Sequence, residues 1–193
     1  MGHTDRGPKR RLPSAVFLAL VTLVFVIAAV LFVGLGAYNV AADAPHTRPV
    51  YWLLDRLRYH SVDVRAQGIK PPSDLDSPVR IATGAGLYAE MCSSCHLAPG
   101  MEKTELSQGL YPQAPVLADG DKLTPAQQFW IIKHGVKLSA MPAWGRTHPD
   151  PLIWDMVAFI RKLPDSSPQQ YKALVASAPA DHDELMKDMS DKK

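Results

Sequence analysis

Twenty-four consecutive residues of this chain, Ala15 to Tyr38, carry no charge. As a helix rising about 1.5 Å per residue, such a run measures roughly 36 Å, enough to cross a hydrocarbon core of about 30 Å with tilt. Arg6, Lys9, Arg10 and Arg11 precede it and Asp43 follows it. By the positive-inside rule, residues 1–14 are cytoplasmic and the chain beyond about residue 40 lies outside. A cleaved signal peptide is the rival reading, since Ala42-Asp43-Ala44 has the small-x-small form of a cleavage site. Signal peptides, however, have apolar regions of about 7–15 residues. The sequence therefore predicts an uncleaved transmembrane anchor over residues 15–38. Either reading exports the rest of the chain.

Charge and cysteine count exclude two broad classes. The 193 residues hold 21 Lys+Arg and 19 Asp+Glu, a formal charge of +2. Beyond residue 43 the balance is 17 against 17, so the positive excess belongs to the N-terminus. No basic stripe appears, which argues against nucleic acid as a partner. Two cysteines are too few for a disulfide scaffold. The 17 prolines against 12 glycines suggest long ordered connections rather than a dense helical bundle.

Residues 39–80 read as a tether, bracketed by Pro45, Pro49, Pro71, Pro72 and Pro78. Within it Val50, Leu53, Leu54 and Leu57 recur at helical spacing, with Arg56 and Arg58 on other faces. Trp52 and Tyr59 flank this short amphipathic helix. It suits a membrane interface, a partner subunit or its own domain, and the sequence does not choose between them. A compact domain follows over residues 81–164, small enough to need a staple. Residues 165–193 form a C-terminal extension, charged and frayed beyond Pro179. His182, Asp183, Met186 and Met189 in that tail are too loosely spaced to favour copper over disorder.

The staple is suggested by Cys92-Ser93-Ser94-Cys95-His96. A Cys-x-x-Cys pair alone suits zinc, dithiol redox chemistry or a disulfide. The histidine directly after it reads as c-type haem attachment. Two thiols at this spacing add across two porphyrin vinyl groups, and the next residue offers its imidazole to the iron. Zinc fails on ligand count, because no second cysteine pair exists. A thioredoxin-like pair expects a preceding strand. Here ATGAGLYAEM reads as a helix with Ala85, Tyr88, Ala89 and Cys92 on one face. Export agrees, since bacterial haem attachment takes place outside the cytoplasmic membrane.

The second axial ligand is expected from Met141, in the loop LSAMPAWG between two predicted helices. Pro142 restricts Met141 and stiffens that loop. The first of these helices opens on a capping box at Thr124-Pro125-Ala126-Gln127 and stops at Gly135. The second, IWDMVAFIRKL, is expected to be capped by Asp150 ahead of Pro151 and to stop at Pro164. A methionine on a helical face is ordinarily core filler, whereas this one sits in a loop beside Pro and Gly. His60, His134 and His148 are the fallback ligands. His134, at a helix end, also suits a capping role.

The chain resembles the class I cytochromes c, and more narrowly the membrane-anchored bacterial monohaem cytochromes c. The likeness covers about Ile81 to Leu163 and rests on Gly84-x-x-x-Tyr88, Cys92-x-x-Cys95-His96, Pro115-x-Leu117, Met141-Pro142 and a closing helix around Phe159. It implies an all-α fold, with the N-terminal transmembrane helix followed by a small helical domain around one haem c bound through two thioethers. It implies further that Gly84 lets the first domain helix cross the last, and that Tyr88 and Phe159 pack there. The Pro115 carbonyl should hold the His96 ring nitrogen that is not on iron, with Pro112 as its rival. Trp130, Trp144, Tyr111 and Arg146 are the candidate haem-propionate donors.

Met/His ligation leaves no open iron site and suits one-electron transfer. No nucleophile–base pair or carboxylate dyad lies near the motif, so the chain is expected to be an electron carrier rather than an enzyme. The expected setting is the outer face of a bacterial cytoplasmic membrane, in a respiratory chain. Donor and acceptor would be drawn from a respiratory complex, a periplasmic dehydrogenase and a terminal oxidase or reductase. Lys133 and Lys137 would either steer an acidic partner or form part of a solvated surface. The alternatives are a haem sensor or peroxidase-like protein with a labile Met141, and an obligate subunit of a larger oxidoreductase.

Overall fold

The computed structural model describes residues 14–179. The N-terminal cations and the tail residues His182, Asp183, Met186 and Met189 lie outside this range. Among the described residues every regular element is a helix, and no strand is present. The chain divides into one unit ending at Ala44 and a second beginning at Pro45.

The first unit contains α1 (Ala15–Gly34), long and apolar enough to cross a membrane by length and composition. The Ser14 hydroxyl caps it by accepting from the Phe17 amide at 3.2 Å. Not one of its residues is buried by protein, so its apolar side chains face outward all round. The helix ends four residues before the uncharged run does. The reason is backbone geometry: Gly36 takes φ +60°, which a continuing right-handed helix does not allow.

The second unit opens with α2 (Arg48–Ala66), with proline in its first turn. Its 19 residues make it longer than a short tether helix, and its C-terminal half packs on the helix at residues 125–134. Val62 and Ala66 are buried there, and the Gln127 amide donates to Asp63. The expected apolar stripe is split by this packing: Val50 and Leu54 are half-buried, whereas Leu53 and Leu57 stay exposed.

The next elements carry the core. Helix α3 (Pro78–Met91) starts on Ser77, whose hydroxyl caps the first turn. The single-turn helix α4 (Ser93–His96) follows directly, and α5 (Glu105–Gly109) is capped by Thr104. The capping box at Thr124 and Gln127 opens α6 (Pro125–His134), and Gly135 closes it at φ +65°. Helix α7 (Asp150–Lys162) crosses α3, and α8 (Pro168–Ala176) packs on α3 as well.

The start of α7 differs from expectation. Pro149 occupies the cap position, and the Asp150 side chain makes no cap bond. Its carboxylate instead meets the Lys133 ammonium at 2.6 Å while remaining in the first turn, where negative charge suits the helix dipole.

The α3–α7 crossing is the centre of the core. Tyr88, Ile153, Met156, Val157 and Phe159 are all fully buried. The Tyr88 and Phe159 rings sit 5.3 Å apart, and Tyr171 of α8 meets Tyr88 edge-on at 6.5 Å. Phe129 of α6 stacks on Trp154 of α7 at 4.2 Å. Truncating a buried aromatic in such a cluster costs about 3–5 kcal/mol, so this crossing fixes where α3 delivers the residues that follow it.

Candidate haem site

Helix α3 runs straight into the Cys-x-x-Cys-His segment. Cys92 caps α3 and begins α4, so its sulfur stays in the core while Cys95 and His96 turn half outward. Two anchors hold this turn. The Tyr88 hydroxyl donates to the Leu97 carbonyl, and Leu97 is held at φ +60°, an uncommon conformation for a non-glycine residue. The Thr104 hydroxyl donates to the Ser94 carbonyl at 2.6 Å. Burial raises the Tyr88 phenol well above its ordinary value, which keeps that hydroxyl a donor.

His96 has one ring nitrogen committed. Its Nδ1 lies 2.8 Å from the Pro115 carbonyl oxygen, to which it donates in the tautomer that leaves the Nε2 lone pair available. The bond goes to Pro115, not to its rival Pro112. Burial lowers the basicity of the ring and the Pro115 bond partly restores it, so the imidazole is held towards its neutral, ligating form.

Both thiols are free. A redox dithiol needs a thiolate, which an electropositive and partly exposed setting favours. Burial does the opposite here, pushing the Cys92 thiol up to about 12 with a contribution from Cys95. Beside Cys95 a small cavity is walled by Leu97, Ser107, Gln113, Ala114 and Val116.

Met141 lies in the loop between α6 and α7, half-buried against the core cluster. The loop is drawn tight at its base. The Val136 amide donates to the Met141 carbonyl at 3.2 Å, and a Cβ on Gly135 would stand 2.7 Å from that same carbonyl oxygen. Ser139 braces the interior: its hydroxyl donates to the Val136 carbonyl at 2.7 Å and accepts from the Met141 amide at 3.2 Å. Sequence reasoning missed Ser139, although a serine two residues before a loop methionine is a recognisable local turn-former.

The donor set fits haem c. It comprises two free thiols at the attachment spacing and an imidazole oriented through its other nitrogen. Among the described residues no group of His, Cys, Asp and Glu side chains is arranged to hold a metal ion.

Residues 79–160 match the family model described as cytochrome c oxidase, cbb3-type, subunit III. They form a class I c-type cytochrome domain. No curated protein and no solved structure matches the chain. The activity the cytochrome domain supports is haem-based electron transfer.

The remaining candidates are placed around this cytochrome domain. His60 is exposed on α2. The His134 ring lies tilted against that of Trp130, with ring centroids 4.9 Å apart. His148 is buried, with Nδ1 2.8 Å from the Thr147 hydroxyl and its ring edge-on to Trp144. The Tyr111 hydroxyl accepts from the His46 amide at 2.8 Å, tying the start of the second unit to the loop that leads to Pro115. Arg146 lies exposed in the short turn Trp144–Arg146. Lys133 is engaged with Asp150, whereas Lys137 is exposed beside the methionine loop.

Missed by sequence reasoning altogether is a cluster joining the two crossing helices. Arg80 of α3 bonds Asp155 of α7 at 2.6 Å and Asp74 at 3.1 Å. Its partners are 75 residues apart from Arg80 in one case and six in the other, so no local pattern announces it.

Proposed function

We propose that the chain is a membrane-anchored monohaem cytochrome c that passes single electrons between periplasmic or membrane redox partners in a bacterial respiratory chain. Residues 15–34 anchor it, and the haem domain stands outside the cytoplasmic membrane. Cys92 and Cys95 attach haem c through thioethers, and His96 and Met141 are the axial ligands. The observation that carries this reading is the Nδ1–Pro115 bond of His96 within the Cys-x-x-Cys-His segment.

Once bound, the haem supplies a one-electron iron couple, with Met/His ligation favouring a raised potential. The protein's own contributions are positional. Pro115 orients the His96 imidazole and raises its ligand basicity. Gly135 and Ser139 hold the methionine loop in one conformation, so little rearrangement accompanies a change of charge. The α3–α7 crossing holds the attachment segment rigid behind them.

The name of the matching family favours a second reading, in which this domain serves a larger oxidase complex and its electron acceptor is that complex. The chemistry is the same and the partner differs.

Attachment is tested by extraction into acidic organic solvent, where haem should remain with the chain. Changing Cys92 or Cys95 to Ala should sharply lower haem yield, and loss of both should lower the yield of protein too. A stable, folded, colourless double variant would overturn the coupling of haem to fold. Intact mass starting at Met1 or Gly2 supports the anchor, whereas a start at Pro45 removes it. Purification from membranes in mild detergent identifies the partners, and a co-purifying oxidase favours the second reading.

A further inference from the structure

Helix α2 carries two opposed faces. Val62 and Ala66 are buried against α6. On the other side Leu53, Leu57 and Val64, at helical spacings of four and seven, form a mainly apolar stripe, 51%, 58% and 48% exposed, which the exposed His60 interrupts on the same face. Trp52 and Tyr59, seven residues apart, lie about a third of a turn round the helix from the stripe and are also more than half exposed. Arg56 lies between stripe and aromatics by helical position. The helix as a whole holds Arg48, Arg56, Arg58 and Arg65 against Asp55 and Asp63.

We infer that this face of α2 docks on the lipid–water interface of the membrane, with Leu53, Leu57 and Val64 among the acyl chains and Arg56 on lipid phosphate. This rests on the reading of residues 15–34 as a membrane anchor. Three features favour lipid as the occupant. Amphipathic aromatics beside aliphatic residues are the composition of a membrane-interface belt, since their rings suit headgroup depth. The excess of arginine matches anionic headgroups, and a long side chain such as Arg56 reaches phosphate from the flank of an apolar stripe. Only 13 residues, Leu35–Thr47, join α1 to α2. Fully extended they span at most about 45 Å, so Arg48 never leaves the neighbourhood of a membrane that holds α1. Docking would restrict the orientations of the haem domain and so the set of partners its exposed edge can meet.

The test uses the full-length holoprotein in lipid nanodiscs containing phosphatidylglycerol, at one copy and at two copies per disc. Hydrogen exchange of residues 50–60 is compared with that of Leu53→Glu/Leu57→Glu in the same discs. In one-copy discs the wild type should exchange at least about tenfold more slowly than the variant. The visible spectrum should be unchanged by the substitutions, which separates lost docking from lost fold. Protection confined to two-copy discs would overturn the proposal in favour of a second copy as occupant. Equal exchange in wild type and variant would overturn it and leave the face to a protein partner. In both cases retention of the protein in the disc leaves the anchor reading standing. A holoprotein that fails to enter discs at all would overturn the anchor and the docking together.

Discussion

Gly84 lies so close to the backbone of Asp155 that a Cβ added to it would stand 1.9 Å from the Asp155 carbonyl oxygen and 2.8 Å from the Phe159 Cβ. The obstacle is backbone, which has no rotamer to yield. Gly84→Ala therefore pushes α3 and α7 apart and opens the core around Tyr88 and Phe159. Overpacking in a well-filled core costs about 1–3 kcal/mol, and the upper end or beyond is expected here. Denaturation of the holoprotein should show the loss, with less haem-loaded protein recovered. Wild-type stability in Gly84→Ala would refute the close crossing.

Arg80 holds a carboxylate that burial disfavours. The Asp155 carboxyl sits above its ordinary value because it is buried, and Arg80 pulls it part of the way back. An Asp raised in the folded state favours folding most at low pH, where it is protonated. That benefit declines as pH rises from the ordinary Asp range through the raised value. Removing Arg80 raises Asp155 further and leaves an unpaired buried charge at neutral pH. Arg80→Ala should lose about 3 kcal/mol at pH 7, and distinctly less at pH 4. Urea denaturation at the two pH values checks this. An equal loss at both would show that Asp155 charge is not the cause.

Local signals were legible and distant ones were not. The capping box at Thr124, the stop at Gly135 and the Cys-x-x-Cys-His spacing each depend on neighbours within a few residues, and each appears in the structure where the sequence puts it, whereas the uncharged run yields a helix four residues shorter than the run itself. The Arg80–Asp155 pair and the seating of α2 on α6 depend on tertiary placement, which no periodicity encodes. Asp150 shows the competition directly. By local rules it is a good cap, but Lys133 stands within reach and takes its carboxylate. Tyr171 falls by sequence in the C-terminal extension, yet it is buried against Tyr88 because α8 covers α3. Its small stretch of apolar residues had no visible partner until the fold supplied one.

Ser139 is expected to matter to the methionine loop without touching the haem. Ser139→Ala removes the bond to the Val136 carbonyl and the acceptor for the Met141 amide. Each such bond is worth about 1 kcal/mol net, so the protein should stay folded while the loop gains freedom. The expected signature is a weaker far-red sulfur-to-iron band and faster cyanide binding to the ferric form. A purely structural role would lower stability and leave both spectroscopic readouts unchanged. Ser139→Thr, which keeps the hydroxyl, should restore much of the effect.

Met141 decides between a closed carrier and an open site. As an axial ligand, its thioether fills the position that carbon monoxide would take on reduced iron, so the wild type should resist carbon monoxide. Met141→Ala should then bind it readily, lose the far-red band and transfer electrons poorly. The fold should survive, because the α3–α7 core and the His96–Pro115 bond do not depend on the methionine sulfur. Met141→His should keep six-coordination and lower the potential, since imidazole favours ferric iron more than a thioether does. Redox titration of the two variants beside the wild type separates these effects. A wild type that binds carbon monoxide at once, with Met141→Ala unchanged in spectrum and potential, would remove Met141 from the iron. His60, His134 and His148 would then be the ligands to test, and an accessible site would favour a sensor or peroxidase-like protein.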